Sequence, residues 1–112
     1  MTPTAKISEI TATELKQKID AGENVQIIDV REQKENDFAR IPNAKLIPLG
    51  EVLKRMNEID PTRETVVHCK GGGRSAQAIE ALQKAGFSGN LKNLKGGITA
   101  WSNDVDPSIP KY

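Results

Sequence analysis

The chain's 112 residues carry 16 lysines and arginines against 15 aspartates and glutamates, a formal net charge of +1. With both signs interspersed, it has no bulk field to recruit nucleic acid or an anionic membrane. Its length suits one domain, expected over residues 1–112, that buries roughly two-thirds of the unfolded surface.

One cysteine excludes an internal disulfide. With a single histidine it also excludes a four-ligand Cys/His zinc site. No stretch has the spacing of a calcium loop, so neither metal nor cofactor is expected. No apolar run approaches a membrane-spanning helix, and Met1-Thr2-Pro3-Thr4 lacks the basic start and apolar core of a secretory signal. The expected location is the cytoplasm.

In chain order, residues 7–10 read as a first strand. Thr11-Ala12-Thr13-Glu14 matches a capping box that opens a helix, and Gly22 is its stop. Residues 25–30 form a nearly continuous apolar run, as in a strand covered on both faces. Asp29 and Arg31 fall at its carboxyl end. A short helix over 32–38, anchored by Phe38, ends before Pro42, and residues 45–47 form a short strand closed by Pro48. Leu49, Val52, Leu53, Met56 and Ile59 recur at helical spacing, which predicts one helix burying that stripe.

A strand over 65–68 leads to Cys69, and a helix follows over 76–85, with Ala76, Ile79 and Leu82 on one side. A weaker strand over 90–94 precedes Gly96-Gly97, a tight connection whose backbone comes near the thiol. The last helix, over 98–105, carries Trp101 as a core residue, and an irregular tail follows. Alternating strands and helices give an α/β domain with a mostly parallel sheet. Such sheets bind ligands beyond the carboxyl ends of their strands, where Cys69 and Asp29 both lie.

The informative stretch is Val66-Val67-His68-Cys69-Lys70-Gly71-Gly72-Gly73-Arg74-Ser75. Successive glycines let backbone N–H groups turn inward as an anion-binding nest, and the next helix adds its unpaired first-turn amides. Keeping a thiol ionised at neutral pH takes roughly 2–3 kcal/mol of preference for the anion. A hydrogen bond to a charged group contributes about 1.5–3 kcal/mol and a helix terminus about 0.3–1. Two or three loop amides therefore suffice without a histidine base. Adjacent strand residues point to opposite faces, so His68 reads as structural. Ser75 is expected to cap the helix or donate to the thiolate. Arg74 and Lys70 add to the field if they point inward. Asp29 and Arg31 either orient the loop or form an ordinary strand-end ion pair.

The loop Cys69-Lys70-Gly71-Gly72-Gly73-Arg74-Ser75 resembles the active-site loop of rhodanese-type sulfurtransferases, Cys-x4-Arg followed by Ser or Thr. Ile28-Asp29-Val30-Arg31, the segment from Ile41-Pro42-Asn43 to Pro48-Leu49, and Asn93-Leu94-Lys95-Gly96-Gly97-Ile98 with Ala100-Trp101 resemble further family signatures. Arg40 and Asn43 depart from the usual His and Gly around the second one. The ending Val105-Asp106-Pro107-Ser108-Ile109-Pro110-Lys111-Tyr112 is similar to that of rhodanese domains fused to molybdopterin-synthase adenylyltransferases.

The resemblance implies a rhodanese-like α/β fold: a five-stranded, mostly parallel sheet flanked by helices on both faces. It implies that Cys69 takes sulfane sulfur from thiosulfate or another persulfide donor. The amides of Lys70, Gly71, Gly72, Gly73, Arg74 and Ser75 would hold that sulfur, with Arg74 orienting an anionic donor and Asp29 and Arg31 as candidate supports. The acceptor would be a thiol, cyanide or a carrier protein. Two rivals stand beside it: a non-catalytic binding or sulfur-carrier module, and a cysteine phosphatase or arsenate reductase. The latter use Cys-x5-Arg, one residue longer than the loop here.

Overall fold

The structure is a computed structural model that describes residues 7–112. Five parallel strands form one sheet in the order β1-β5-β4-β2-β3. They are β1 (Glu9–Ile10), β2 (Gln26–Asp29), β3 (Lys45–Leu46), β4 (Thr65–His68) and β5 (Leu91–Leu94). The helices are α1 (Ala12–Asp20), α2 (Gln33–Phe38), α3 (Gly73–Lys84) and α4 (Gly97–Asp104). No helix among the described residues is long and apolar enough to cross a membrane.

Strand alternation sorts the core into two layers. Ile27, Val66 and Leu94 face Leu15 of α1 and Ile98 and Trp101 of α4. Ile28 and Val67 face Ala78, Ile79 and Leu82 of α3. Both faces are thus covered, as the unbroken apolar runs of β2 and β4 require. The capping box at Thr11 is present: the Glu14 amide donates to Thr11 Oγ1 at 3.1 Å and the Thr11 amide to Glu14 Oε1 at 2.9 Å. Gly22 follows in the left-handed region, at φ +75°.

Two expectations need correction. Residues 49–59 are not one helix but two 3₁₀ turns, Leu49–Glu51 and Met56–Glu58. Their bonds run from i+3 to i, as from the Glu51 amide to the Pro48 carbonyl, so a stripe with period 3.6 cannot stay on one face. Arg55 clips the turns together through Glu51 and Glu58. Val52 and Ile59 are buried, whereas Leu53 is 51 % exposed.

Phe38 does not anchor α2. It is 56 % exposed and meets the Tyr112 ring edge-on at 6.0 Å. The tail is irregular, as expected, and it is docked: Ile109 is buried, and its carbonyl accepts from Ser102 Oγ at 2.7 Å.

The two leucines make a direct test of the broken stripe. Leu82→Ala, at a fully buried site, should lower unfolding stability by about 2–5 kcal/mol. Leu53→Ala should stay within about 0.5 kcal/mol of the parent. Paired urea titrations check this, and equal losses would restore the continuous helix.

Candidate active site

Cys69 follows directly on β4, and α3 starts at Gly73, three residues earlier than the periodicity predicts. The helix therefore begins inside the glycine run, with Gly72 as N-cap at φ +117°. Gly73, Arg74 and Ser75 form its first turn, where amides have no partner within the helix. The Gly72 amide donates to Cys69 Sγ at 3.1 Å, and Ser75 Oγ lies 3.4 Å from the same sulfur.

Cys69 is only 1 % exposed, and on its other side it touches the Ile28 and Val67 layer of the core. Burial pushes the thiol up. The Ser75 hydroxyl and the amides of Ser75, Gly72 and Gly71 outweigh it, holding the pKa below the ordinary thiol value.

The loop's amides can face inward because its carbonyls are held from outside. The first amides of α4 take them: Ile98 N–H donates to the Cys69 carbonyl at 3.0 Å and Thr99 N–H to that of Lys70 at 3.2 Å. This seating brings Gly97, at φ +57°, against the loop. A Cβ there would lie 2.6 Å from the Cys69 carbonyl oxygen and closer still to that of Lys70. Gly96-Gly97 is thus the support of the loop as well as a turn.

Arg74 does not point its fork into the bowl. Its Nη1 and Nη2 donate to Glu35 Oε1 and Oε2 of α2 at 2.7 and 2.9 Å. Its charge reaches Cys69 as a field, not as hydrogen bonds. Glu35 also accepts the Glu32 amide and the Tyr112 hydroxyl. Arg74 first, against a smaller opposing cost of burial, holds its carboxyl at about 2. Lys70 lies outside the bowl too, with Nζ 4.8 Å from the centre of the Tyr112 ring.

Asp29 and Arg31 pair with each other. Arg31 Nε and Nη2 donate to the two Asp29 oxygens at 2.9 and 2.8 Å, both side chains being fully buried. Neither is bonded to Cys69 or to the amides around it. Arg31 also donates to the carbonyls of Ala39 and Glu35 and to Tyr112 Oη, so it ties α2 and the tail to β2. Burial pushes Asp29 up, but its hydrogen bonds from Arg31 and Asn36 outweigh it and leave the carboxyl below its usual value.

His68 lies on the Asp29 side of the sheet, with Nδ1 3.2 Å from the Cys69 carbonyl oxygen. A carbonyl only accepts, so Nδ1 carries the proton. Burial holds the ring below its ordinary pKa and hence neutral. A cleft of about 930 Å³ at the amino ends of the strands, lined by Val25, Gln26, Trp101 and Val105 among others, contains none of these residues.

The model of the rhodanese-like domain matches residues 11–104. The chain belongs to the rhodanese-like family. It is 36 % identical over 103 residues to an Allochromatium vinosum protein named sulfurtransferase, covering 92 % of this chain and 95 % of that one. It is 41 % identical over 113 residues to the Mycobacterium tuberculosis protein named adenylyltransferase/sulfurtransferase MoeZ. That match covers 96 % of this chain and spans 28 % of the longer protein. The solved rhodanese-like domain protein of Staphylococcus aureus superposes with a TM-score of 0.80 at 34 % identity, covering 95 % of this chain and 99 % of that one.

Three residues of this rhodanese-like domain escape a reading by motif. Asn93 of β5 holds Ser75 and Gly72, Glu35 holds Arg74, and Tyr112 joins Glu35 to Arg31. For Asn93 and Tyr112 the sequence held a signal, since one opens the Asn-Leu-Lys-Gly-Gly stretch and the other closes the family-like ending, but for Glu35 it held none.

Gly97→Ala should cost about 2–4 kcal/mol, because a positive φ and a backbone collision combine. It should also return Cys69 alkylation to the pH dependence of an ordinary thiol. Denaturant titration and iodoacetamide kinetics read the two effects. For Glu35 the folded pKa lies below the ordinary 4.5. Its contribution to stability is therefore full above about pH 4.5 and is lost as pH falls toward 2. Thermal unfolding over that range should show Glu35→Gln with a flatter acid limb than the parent.

Proposed function

We propose that the protein is a sulfurtransferase that moves sulfane sulfur through a persulfide on Cys69. The observation that carries this reading is the sulfur's setting: Sγ at the floor of a loop, 3.1 Å from an inward amide, with its ionised form favoured. The family and the names of its relatives support the same reaction class. In the first step the Cys69 thiolate attacks the outer sulfur of thiosulfate. A sulfur–sulfur bond forms, the donor's own breaks, and its electron pair leaves with sulfite. The anionic outer sulfur is then stabilised by the loop amides, as an oxyanion hole stabilises oxygen. In the second step a thiol, cyanide or carrier protein removes the sulfur and regenerates the thiolate, a ping-pong cycle. Another persulfide can replace thiosulfate as donor by the same chemistry, with a thiol as leaving group.

Phosphate ester hydrolysis fits the site poorly. Four residues separate Cys69 from Arg74, and the guanidinium fork that would grip a phosphoryl group is engaged by Glu35. A slow sulfur carrier is the second reading, favoured by the 1 % exposure of Cys69, which limits access to the inner sulfur.

Treatment with thiosulfate followed by mass spectrometry should reveal a one-sulfur adduct on Cys69. Cyanide should remove it, Cys69→Ser should never acquire it, and p-nitrophenyl phosphate should not be turned over. A protein that stays unloaded with thiosulfate and with persulfide donors refutes the proposal. Loading without multiple turnover selects the carrier. The thiol's depressed pKa places the rise in its alkylation rate at lower pH than for an ordinary cysteine.

A further inference from the structure

Ser75 has one hydroxyl proton and three acceptors within reach. Asn93 Oδ1 lies at 2.6 Å, the Gly72 carbonyl at 3.1 Å and Cys69 Sγ at 3.4 Å. The orientation of the Asn93 amide is fixed by its other end, where Nδ2 donates to the Gly72 carbonyl at 3.1 Å. Asn93 Oδ1 must then face Ser75, and since it cannot donate, the hydroxyl proton lies between the two oxygens. What Ser75 turns toward the sulfur is a lone pair. That suits a thiol S–H and is wrong for a thiolate. Ser75 does not cap the helix, whose N-cap is Gly72 without a side-chain cap bond; bonding Asn93 and donating to the anion compete for its one proton.

Ionisation of Cys69 reverses the preference. A hydrogen bond to a charged acceptor is worth about 1.5–3 kcal/mol against about 0.5–1.5 for a neutral one. The hydroxyl gains by turning to sulfur, while the buried Asn93 oxygen loses its donor. The two placements are close in free energy, and the charge on sulfur decides between them.

We propose that Asn93 is a positioning residue for sulfur transfer, which holds the Ser75 proton while Sγ is uncharged and releases it when negative charge develops there. The inference rests on Cys69 as the sulfur-carrying nucleophile. In the second step the acceptor's lone pair bonds to the outer sulfur, the bond to Sγ breaks, and its electron pair stays on Sγ. That is the moment at which the Ser75 proton swings across. Asn93 thus taxes the resting thiolate through Ser75 and leaves the donor available to the departing sulfur.

The test is a double-mutant cycle on the single cysteine, read by the pH dependence of iodoacetamide alkylation and of thiolate absorbance. Asn93→Leu keeps the branched shape and removes the competing acceptor. In the Ser75 protein it should raise the alkylation rate on the acid limb about three- to tenfold. In a Ser75→Ala background it should change nothing.

The charged neighbours are common to all four proteins. Arg74 and Glu35 keep their charges over the alkylation range, and the buried His68 ring is held below its ordinary pKa in each. A rate that falls with Asn93→Leu, or that changes equally with and without Ser75, overturns the inference and leaves Asn93 as scaffolding for Gly72. Asn93→Ala supplies the same comparison if the leucine variant does not fold. Because alkylation needs no sulfur donor, the cycle is informative even if persulfide never forms. Persulfide formation without coupling defeats this inference alone.

Discussion

The loop after β4 can present its N–H groups to a sulfur atom because its carbonyls are bound elsewhere. Backbone polarity comes in pairs, and a segment cannot turn donors inward without turning acceptors outward. In this protein the outward acceptors of Cys69 and Lys70 are met by the first amides of α4. Two helix N-termini thus serve one turn of chain: α3 supplies amides to the sulfur, and α4 supplies amides to the carbonyls behind it. Neither arrangement tolerates a side chain at Gly97, the point of closest approach.

The other half of the rim is organised by a buried ion pair. The Asp29 carboxylate accepts four hydrogen bonds, from the Arg31 amide, Nε and Nη2 and from Asn36. Arg31 spends its remaining donors on Ala39, Glu35 and Tyr112. A buried pair contributes little net stability against well-packed apolar groups, because desolvation offsets its attraction. What it contributes is placement, since its donors and acceptors are satisfied by α2 and the tail as they sit here. That arrangement sets Glu35 opposite Arg74.

Local features were legible in the sequence and remote pairings were not. The capping box at Thr11 is written within four residues, and the strand, glycine run and helix around Cys69 within ten. The opposite facing of His68 follows from strand alternation. By contrast, Arg74 and Glu35 are 39 positions apart, Ser75 and Asn93 18, and Tyr112 and Glu35 77. An asparagine in a strand or a tyrosine in a tail carries no periodic signature, so only the folded chain reveals its partner. The stripe at 49–59 misled for the opposite reason. Its spacing is helical, but the chain breaks into two 3₁₀ turns, and Leu53, in the turn between them, faces the surface.

The parallel sheet draws the sulfur's surroundings from widely separated parts of the chain. The cradle needs β4, the first turn of α3, Asn93 of β5 and the start of α4 to be in place together. Long-range pairings of this kind pay loop-closure entropy before their contacts reward it. A nascent or partly folded molecule therefore carries a thiol of ordinary nucleophilicity, and unusual acidity at position 69 is acquired only on completion of the native state. Its acidity is in that sense a certificate of assembly, although the same assembly also buries the sulfur to 1 % exposure.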